Sequence, residues 1–444
     1  MEVSNQENGG LISVKSLEPI FIQPEKKPYN GTHLLSNLDR AVVAMMKTIY
    51  IYNLDGKTSS EAACDVIKQA LSKVLVYYYP LAGRLKSNSD GKLFVECIDT
   101  EGVPFVEAIA NFSIVELGDI TVPDTPKFEK FIYEVPGVEN ILEMPLMTVQ
   151  VTRFKCGGFA LGLTMNHCVA DGKAGMEFVN SWAEIARGVP LTTPPVLDNS
   201  MFMSGKRSPL DKSPTEKFNI VDISDVSNLE SQYQKENTVY KSFSFDQNKL
   251  AELKKKAMEE DEGLKYCSSF TVLAALVWRA RNQTLKMEPH QKSRLLFTVD
   301  IRSKLNTPLP KGFFGNGIVT SECTCTASEL SENPFSFAVK MVQNAIKKVN
   351  EDYVQSYNDF FENISITIPP PSLTGTLVIT SWTRIAFNSA DFGWGEASQF
   401  GSVEIPKEVC LFSPAGIKET EGVMLILGLP VSAMNTFQEL MNKV

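Results

Sequence analysis

Phe159-Ala-Leu-Gly-Leu-Thr-Met-Asn-His-Cys-Val-Ala-Asp-Gly172 is the stretch whose reading decides the fold. Phe159 to Met165 is an apolar run of strand length that ends in Asn166, and His167, Asp171 and Gly172 follow it. The next segment, Ala174 to Arg187, carries Met176, Val179, Trp182 and Ile185 at helical spacing and stops at Gly188. The pattern is strand, turn, helix, with an imidazole at the strand exit, where reactive groups are presented on a rigid support.

Just upstream, Met147 to Phe154 pairs with Phe159 to Met165 across Lys155-Cys-Gly-Gly158, a hairpin with glycines where positive φ is needed. Further upstream, an irregular lead-in carries a short strand near Glu18 to Ile22, and His33-Leu-Leu-Ser-Asn-Leu-Asp39 precedes a strand from Ala41 to Tyr52. Thr58-Ser-Ser-Glu61 reads as a capping box for a helix with the stripe Ala62, Ala63, Val66, Ile67, Ala70, Leu71, Val74, Leu75. A turn at Leu81 to Leu85 and a strand from Leu93 to Ile98 follow.

Downstream, residues 192–222 turn to Pro, Ser, Lys and Asp with little periodicity, which predicts an interdomain crossover. The second half alternates again. Strands are expected at Thr238–Phe245, Arg294–Val299, Leu377–Ile379, Val409–Phe412 and Val423–Leu427. Helices are expected at Gln247–Met258, at Phe270–Arg281 with Ser268 or Ser269 as cap, after Asn333-Pro334, and from Ser432.

At 444 residues the chain exceeds one ordinary core, so two domains of roughly 200 residues are expected. A hydrophobic content of 43% with 21% charged residues describes a folded globular protein. The net charge of −9 argues against nucleic acid or an anionic membrane as partner. The start lacks a basic and apolar leader and no apolar run reaches membrane-spanning length, so a cytoplasmic location without membrane insertion is expected. The sequons at Asn30, Asn111, Asn282 and Asn363 would then stay unmodified. Eight scattered cysteines read as reduced, buried thiols.

His33, His167 and His290 are the only histidines, too few for a His-rich metal site. His167 suits general-base catalysis, because a neutral imidazole can take a proton from an alcohol near neutral pH; a structural histidine at a strand end is the alternative. No Gly-x-Ser-x-Gly elbow occurs. Asp391-Phe-Gly-Trp-Gly395 is a second unusual island, a tight turn around a buried aromatic.

His167-x-x-x-Asp171-Gly172 followed by Asp391-Phe-Gly-Trp-Gly395 resembles the BAHD family of plant CoA-dependent acyltransferases. Leu71 to Leu85, Val299-Asp-Ile-Arg302 and Lys311-Gly-Phe-Phe-Gly-Asn316 extend the resemblance along nearly the whole chain. Asn140 to Pro145, Phe154 to Gly158, Pro308 to Gly312 and Gly315 to Val319 are most similar to the hydroxycinnamoyl transferases that use ω-hydroxy fatty acids and fatty alcohols.

The resemblance implies an α/β fold of two chloramphenicol-acetyltransferase-like domains with mixed sheets flanked by helices: residues 1–191, a crossover at 192–222, and residues 223–444, with the active-site channel at their interface. It implies an acyl-CoA-dependent O-acyltransferase with no permanently bound cofactor and no metal, acting as a monomer on acyl-CoA and a small-molecule alcohol. His167 matches the general base. Asp171, Gly172, Arg302, Asp391, Gly393, Trp394 and Gly395 match structural support of the catalytic loop, with Arg302 pairing Asp171. Thr380 and Trp382 match the acceptor and oxyanion side. For the CoA phosphates, Lys254, Lys256 and the helix start at Ser268 and Ser269 are candidates, while a solvated helix face is the alternative for the lysines. Residues 364–376 hold no cation where relatives with anionic acceptors carry Arg, and Pro369 to Pro371 departs from the fatty-acid subgroup. A short acyl donor such as acetyl-CoA, with an alkaloid or terpenoid alcohol or an amine, is therefore the alternative pair. A silent binding protein is disfavoured by the intact motifs.

Overall fold

The strand Phe159–Asn166 is buried along its whole length and lies between Met147–Arg153 and Met45–Tyr52, antiparallel to both. Burial on both faces explains its unbroken apolar sequence. The structure, a computed structural model, describes residues 13–27, 31–54, 60–98, 100–203, 227–362, 373, 375–415 and 422–444. The first sheet runs Val14–Ser16, Val103–Ala110, Met147–Arg153, Phe159–Asn166, Met45–Tyr52, Gln399–Ser402, with Ile20–Ile22 also on Val103–Ala110. The second runs Thr238–Phe245, Val423–Pro430, Val409–Pro414, Thr376–Ser381, Lys292–Asp300, Ile318–Thr326. Each contains parallel and antiparallel neighbours. A third, small sheet joins Thr32–Leu34, Leu93–Glu96 and Arg84–Ser87. The expected α/β class with mixed sheets and flanking helices is what the chain adopts.

Helices Ala63–Val74 and Gly172–Ala186 bury Leu71, Val74, Phe178 and Trp182 in one core with Leu161 and Leu163 of the first sheet. The opposite face is covered by a segment of short helical turns bearing Phe112, Ile120, Phe128 and Phe131, which pack with Ile49, Ile51 and Ala160. This close crossing requires Gly162: a Cβ there would lie 1.8 Å from the Phe131 carbonyl oxygen. Gly162→Ala should cost about 1–3 kcal/mol through backbone displacement; an unchanged urea midpoint would refute the packing argument. The second sheet shares its core with helices Ser269–Thr284, Phe335–Lys348 and Val431–Met441 through Trp278, Val339 and Phe437.

Several elements differ from expectation. The helix at Ala63–Val74 begins on Ala62, downstream of the capping box, whose Thr58 and Ser59 lie outside the described residues. Strands Val103–Ala110 and Ile318–Thr326 and the helix Glu351–Glu362 were not anticipated. Pro104 masks the first and a Thr/Ser-rich pattern the second. Division of the chain at 192–222 does not coincide with membership of the sheets. Gln399–Ser402, from the second half, pairs with Thr48–Ile51 at the edge of the first sheet. Within 192–222, Val196 donates to Gly312 O and accepts from Phe314 N, at 2.8 and 2.9 Å. Residues 204–226 of the crossover lie outside the described residues.

Candidate active site

The backbone around His167 is tied on every side. Asn166 N–H donates to Leu146 O at 2.7 Å, and its Oδ1 accepts from Cys168 N at 3.0 Å. His167 N–H donates to Ala44 O, and His167 O accepts from Asn316 Nδ2, both at 2.8 Å. Strand alternation then puts the His167 ring on the face shared with Leu163 and Met165, toward helix Gly172–Ala186. Its Nδ1 is buried with no hydrogen-bond partner among the described residues.

Asp171 does not orient the imidazole, because its oxygens are committed elsewhere. As N-cap of helix Gly172–Ala186, its Oδ1 accepts from Ala174 N at 3.0 Å and from Arg302 Nη2 at 2.9 Å. Its Oδ2 accepts from Arg302 Nη1 at 2.8 Å and from Gly317 N at 2.9 Å. Burial pushes the Asp171 carboxyl up, but the Arg302 charge and these hydrogen bonds outweigh it and hold it below the usual carboxylate value. Burial likewise opposes the Arg302 charge, and Asp171 more than restores it. A Cβ on Gly317 would sit 2.6 Å from Arg302 Nη1, so this backbone must be glycine for the fork to fit.

His167 opens onto a cavity enclosing about 550 Å³, counting the part open to solvent. One wall is formed by alternate residues of the two paired strands, Met46, Thr48 and Tyr50 beside Met165 and Leu163. Gly172, Gly175, Met176 and Val179 of the helix form the second, and the glycines leave the space a side chain would fill. Trp382 and Phe387 come from the second half. Trp382 packs on Phe387 and Phe400, which stack with ring centroids 4.0 Å apart, and Phe400 packs on Tyr50. The cavity therefore extends inward from His167 for about four to six strand residues, on the order of 15–20 Å.

Trp382 faces this cavity, and its Nε1 lies 3.8 Å from where a Cβ on Gly172 would be. Thr380 is half-buried and outside the cavity lining. The Asp391 to Gly395 island, expected as structural support, lies at a distance from the His167 loop. Trp394 packs against Phe159, at the opposite end of the strand and about 25 Å from His167 by strand geometry. Phe392 packs on Tyr52 and Trp182, and Arg187 reaches Asp391 at 4.0 Å. Asp391 Oδ1 accepts from Gly393 N and Gly395 N, both at 2.8 Å and both glycines at positive φ. The island thus clamps the remote ends of the strand and helix that flank the loop.

The residues considered for phosphate binding lie apart from this cavity's lining. Helices Gln247–Glu259 and Ser269–Thr284 pack together, with Cys267 Sγ donating to Lys254 O at 3.8 Å. Ser268 is the cap, accepting from Thr271 N at 3.1 Å, and Ser269 is partly exposed. Lys256 Nζ stands 5.9 Å from the Phe335 ring centroid. Among the described residues no His, Cys, Asp and Glu group could hold a metal ion, and no helix is long and apolar enough to cross a membrane.

The chain matches the model of the Transferase family over residues 12–444. It is 48% identical over 431 residues to the omega-hydroxypalmitate O-feruloyl transferase of Arabidopsis thaliana, covering 96% of this chain and 92% of that one. It is 45% identical over 430 residues to the fatty alcohol:caffeoyl-CoA acyltransferase of the same plant, covering 96% and 97%. With the benzyl alcohol O-benzoyltransferase of Petunia hybrida it shares 31% identity over 98% of this chain and 94% of that one. The fold is shared with vinorine synthase, at a TM-score of 0.74 and 24% identity over 97% and 98% of the two chains. By this extent of similarity the chain belongs to the Transferase family of BAHD acyltransferases and is an enzyme that transfers acyl groups.

Proposed function

We propose that the enzyme moves an aromatic acyl group, hydroxycinnamoyl above all, from coenzyme A to the hydroxyl of a hydrophobic alcohol, with His167 as general base. The observation that carries this reading is the cavity that leads inward from His167. Beyond His167 and Asp171 its lining is mostly apolar and aromatic, with Thr48 and Tyr50 as the residues that carry hydroxyls. Tyr50 is 2% exposed, and its hydroxyl has the Met176 thioether at 3.9 Å, a weak acceptor, and the Thr48 hydroxyl as neighbours. Burial pushes its phenol up, so it stays a donor. A hydroxycinnamoyl group is flat, carries its thioester at one end and its phenol at the other, and matches that arrangement. The names of the relatives, a feruloyl and a caffeoyl transferase, favour the same donors and a long-chain acceptor.

In this mechanism the acceptor hydroxyl gives its proton to His167 Nε2 as its oxygen attacks the thioester carbonyl. The tetrahedral intermediate expels the CoA thiolate, which takes the proton back from the imidazolium. The thioester is already activated, so no covalent enzyme intermediate is needed. The Trp382 indole N–H is the candidate oxyanion donor, a role typically worth about 3 kcal/mol. Arg302 and Asp171 hold the loop. Lys254, Lys256 and the helix start at Ser268 and Ser269 are proposed for the CoA phosphates; since Ser268 Oγ is spent on its cap, an anion would meet Ser269 and free amides. A cytosolic monomer completes the reading, and eight free cysteines fit a reducing compartment.

A thiol-release assay with feruloyl-, benzoyl- and acetyl-CoA, each against a fatty alcohol and a polycyclic alcohol, tests it. Feruloyl transfer to the fatty alcohol is expected to be fastest. Transfer only from acetyl-CoA, or only to the polycyclic alcohol, would overturn the substrate assignment. Tyr50→Phe should lower the preference for feruloyl- over cinnamoyl-CoA, which lacks the phenol, by about tenfold, the worth of one hydrogen bond of about 1.4 kcal/mol. An unchanged ratio would place the phenol elsewhere.

A further inference from the structure

Asp39 is a carboxylate 1% exposed, far in sequence from His167 and absent from the chemistry described so far. Its Oδ2 closes a one-turn capping box, accepting from Ser36 N at 2.9 Å and Ser36 Oγ at 2.6 Å. A capping acid needs nothing more. Yet Asn199 Nδ2 of the crossover also reaches Oδ2, at 3.3 Å. Oδ1 accepts two further bonds from the second half, Asn316 N at 2.8 Å and Asn316 Nδ2 at 3.0 Å. That same Nδ2 donates to the His167 carbonyl at 2.8 Å.

The Asn316 amide is thus oriented by two acceptors, and a flipped amide would aim its oxygen at both. Its Oδ1 is buried without a partner among the described residues, a cost of about 1–3 kcal/mol that the two bonds made by the donor on the other side offset. The next amide of the same loop, Gly317 N, goes to Asp171. Two carboxylates of the first half therefore grip successive amides of one loop of the second half, and that loop reaches back to the histidine.

We infer that Asp39 and Asn316 form a positioning relay for His167: Asp39 fixes the Asn316 amide, and Asn316 fixes the peptide that carries the imidazole. Asp171 and Arg302 hold one end of the catalytic loop and this relay holds the other, so the base is aimed only when the two halves are joined. The inference rests on His167 as the base. Neither residue touches substrate in this scheme, so binding is spared and turnover is lost.

The test is kcat, both KM values and urea melts for Asn316→Ala, Asn316→Asp, Asp39→Asn and the double variant Asp39→Asn with Asn316→Ala, beside His167→Ala. Asn316→Ala should lower kcat by about 10–100-fold, the cost of a misplacement near 1 Å, with both KM values within about threefold. Asn316→Asp, equal in size but with an acceptor in place of the donor and a second carboxylate beside Asp39, should be at least as poor. Asp39→Asn should be milder, since one acceptor oxygen remains. The double variant should match Asn316→Ala, because Asp39 acts through Asn316. Losses that multiply, a KM that rises as kcat falls, or a normal kcat in Asn316→Asp would overturn the relay. Should Asn316→Ala not fold, Asn316→Asp and Asp39→Asn carry the same test. An active His167→Ala would remove the base assignment itself, whereas an inactive His167→Ala beside normal Asn316 variants would remove the relay alone.

Discussion

His167→Ala is expected to lower kcat by about 10²–10⁴-fold, the usual worth of a positioned general base, and to leave the protein folded. Among the described residues the ring makes no hydrogen bond through Nδ1, and the His167 backbone is held by its N–H donating to Ala44 O and its carbonyl accepting from Asn316 Nδ2, neither of which involves the imidazole. Activity and folding should therefore separate. A urea melt close to that of the native protein, with thiol release reduced to the residual rate set by proximity and oxyanion stabilisation, is the expected pair of results. A variant that keeps full activity would mean that the acceptor is deprotonated by another group. The Asp171 carboxylate cannot be that group, because its two oxygens already accept four hydrogen bonds, two of them from the Arg302 guanidinium.

Arg302→Ala is expected to have the largest effect on stability, about 3–5 kcal/mol, because it leaves the Asp171 carboxylate buried without its counter-charge. The Asp171 side chain is 2% exposed and that of Arg302 12%, so water cannot replace the guanidinium. Arg302→Lys should recover only part of the loss, since a point charge cannot bond both carboxylate oxygens in one plane. The pH dependence has a definite sign. The folded Asp171 carboxyl lies below its ordinary value despite burial, whereas in the unfolded chain it titrates near about 3.9. Its contribution is therefore fully present above about pH 4 and lost as the pH falls toward the folded value. The stability gap between the native protein and Asp171→Asn should narrow on going from pH 5 to pH 3. A gap that stays constant would show that Arg302 does not control this carboxyl.

Much of the site was legible because it is local. The strand exit at Asn166, the helix from Gly172 and the histidine between them lie within one short stretch, and periodicity and capping preference suffice to fold it on paper. The pairing of Arg302 with Asp171 came from motif resemblance, and the two bonds supply its geometry. Asp39 stood in plain view as the end of Leu-Leu-Ser-Asn-Leu-Asp, but Asn316, its partner, is 277 residues away, and no propensity links them. The aromatic island was the reverse case. Its composition announced a tight turn, but its position at the far end of the strand Phe159–Asn166 follows from Phe392 and Trp394 finding Tyr52, Trp182 and Phe159.

The amino-acid order alone determined the strand–turn–helix that presents His167, because apolar periodicity, caps and glycine turns act over a few residues, and the motif resemblance supplied the class of fold. Tertiary structure decided that Gln399–Ser402 completes the first sheet, that Trp382 and Phe387 wall a cavity opened by Gly172 and Gly175, and that one loop of the second half grips the histidine peptide. Those are contacts between segments hundreds of residues apart. Burial and hydrogen-bond satisfaction over the whole molecule select them, and no local preference encodes them.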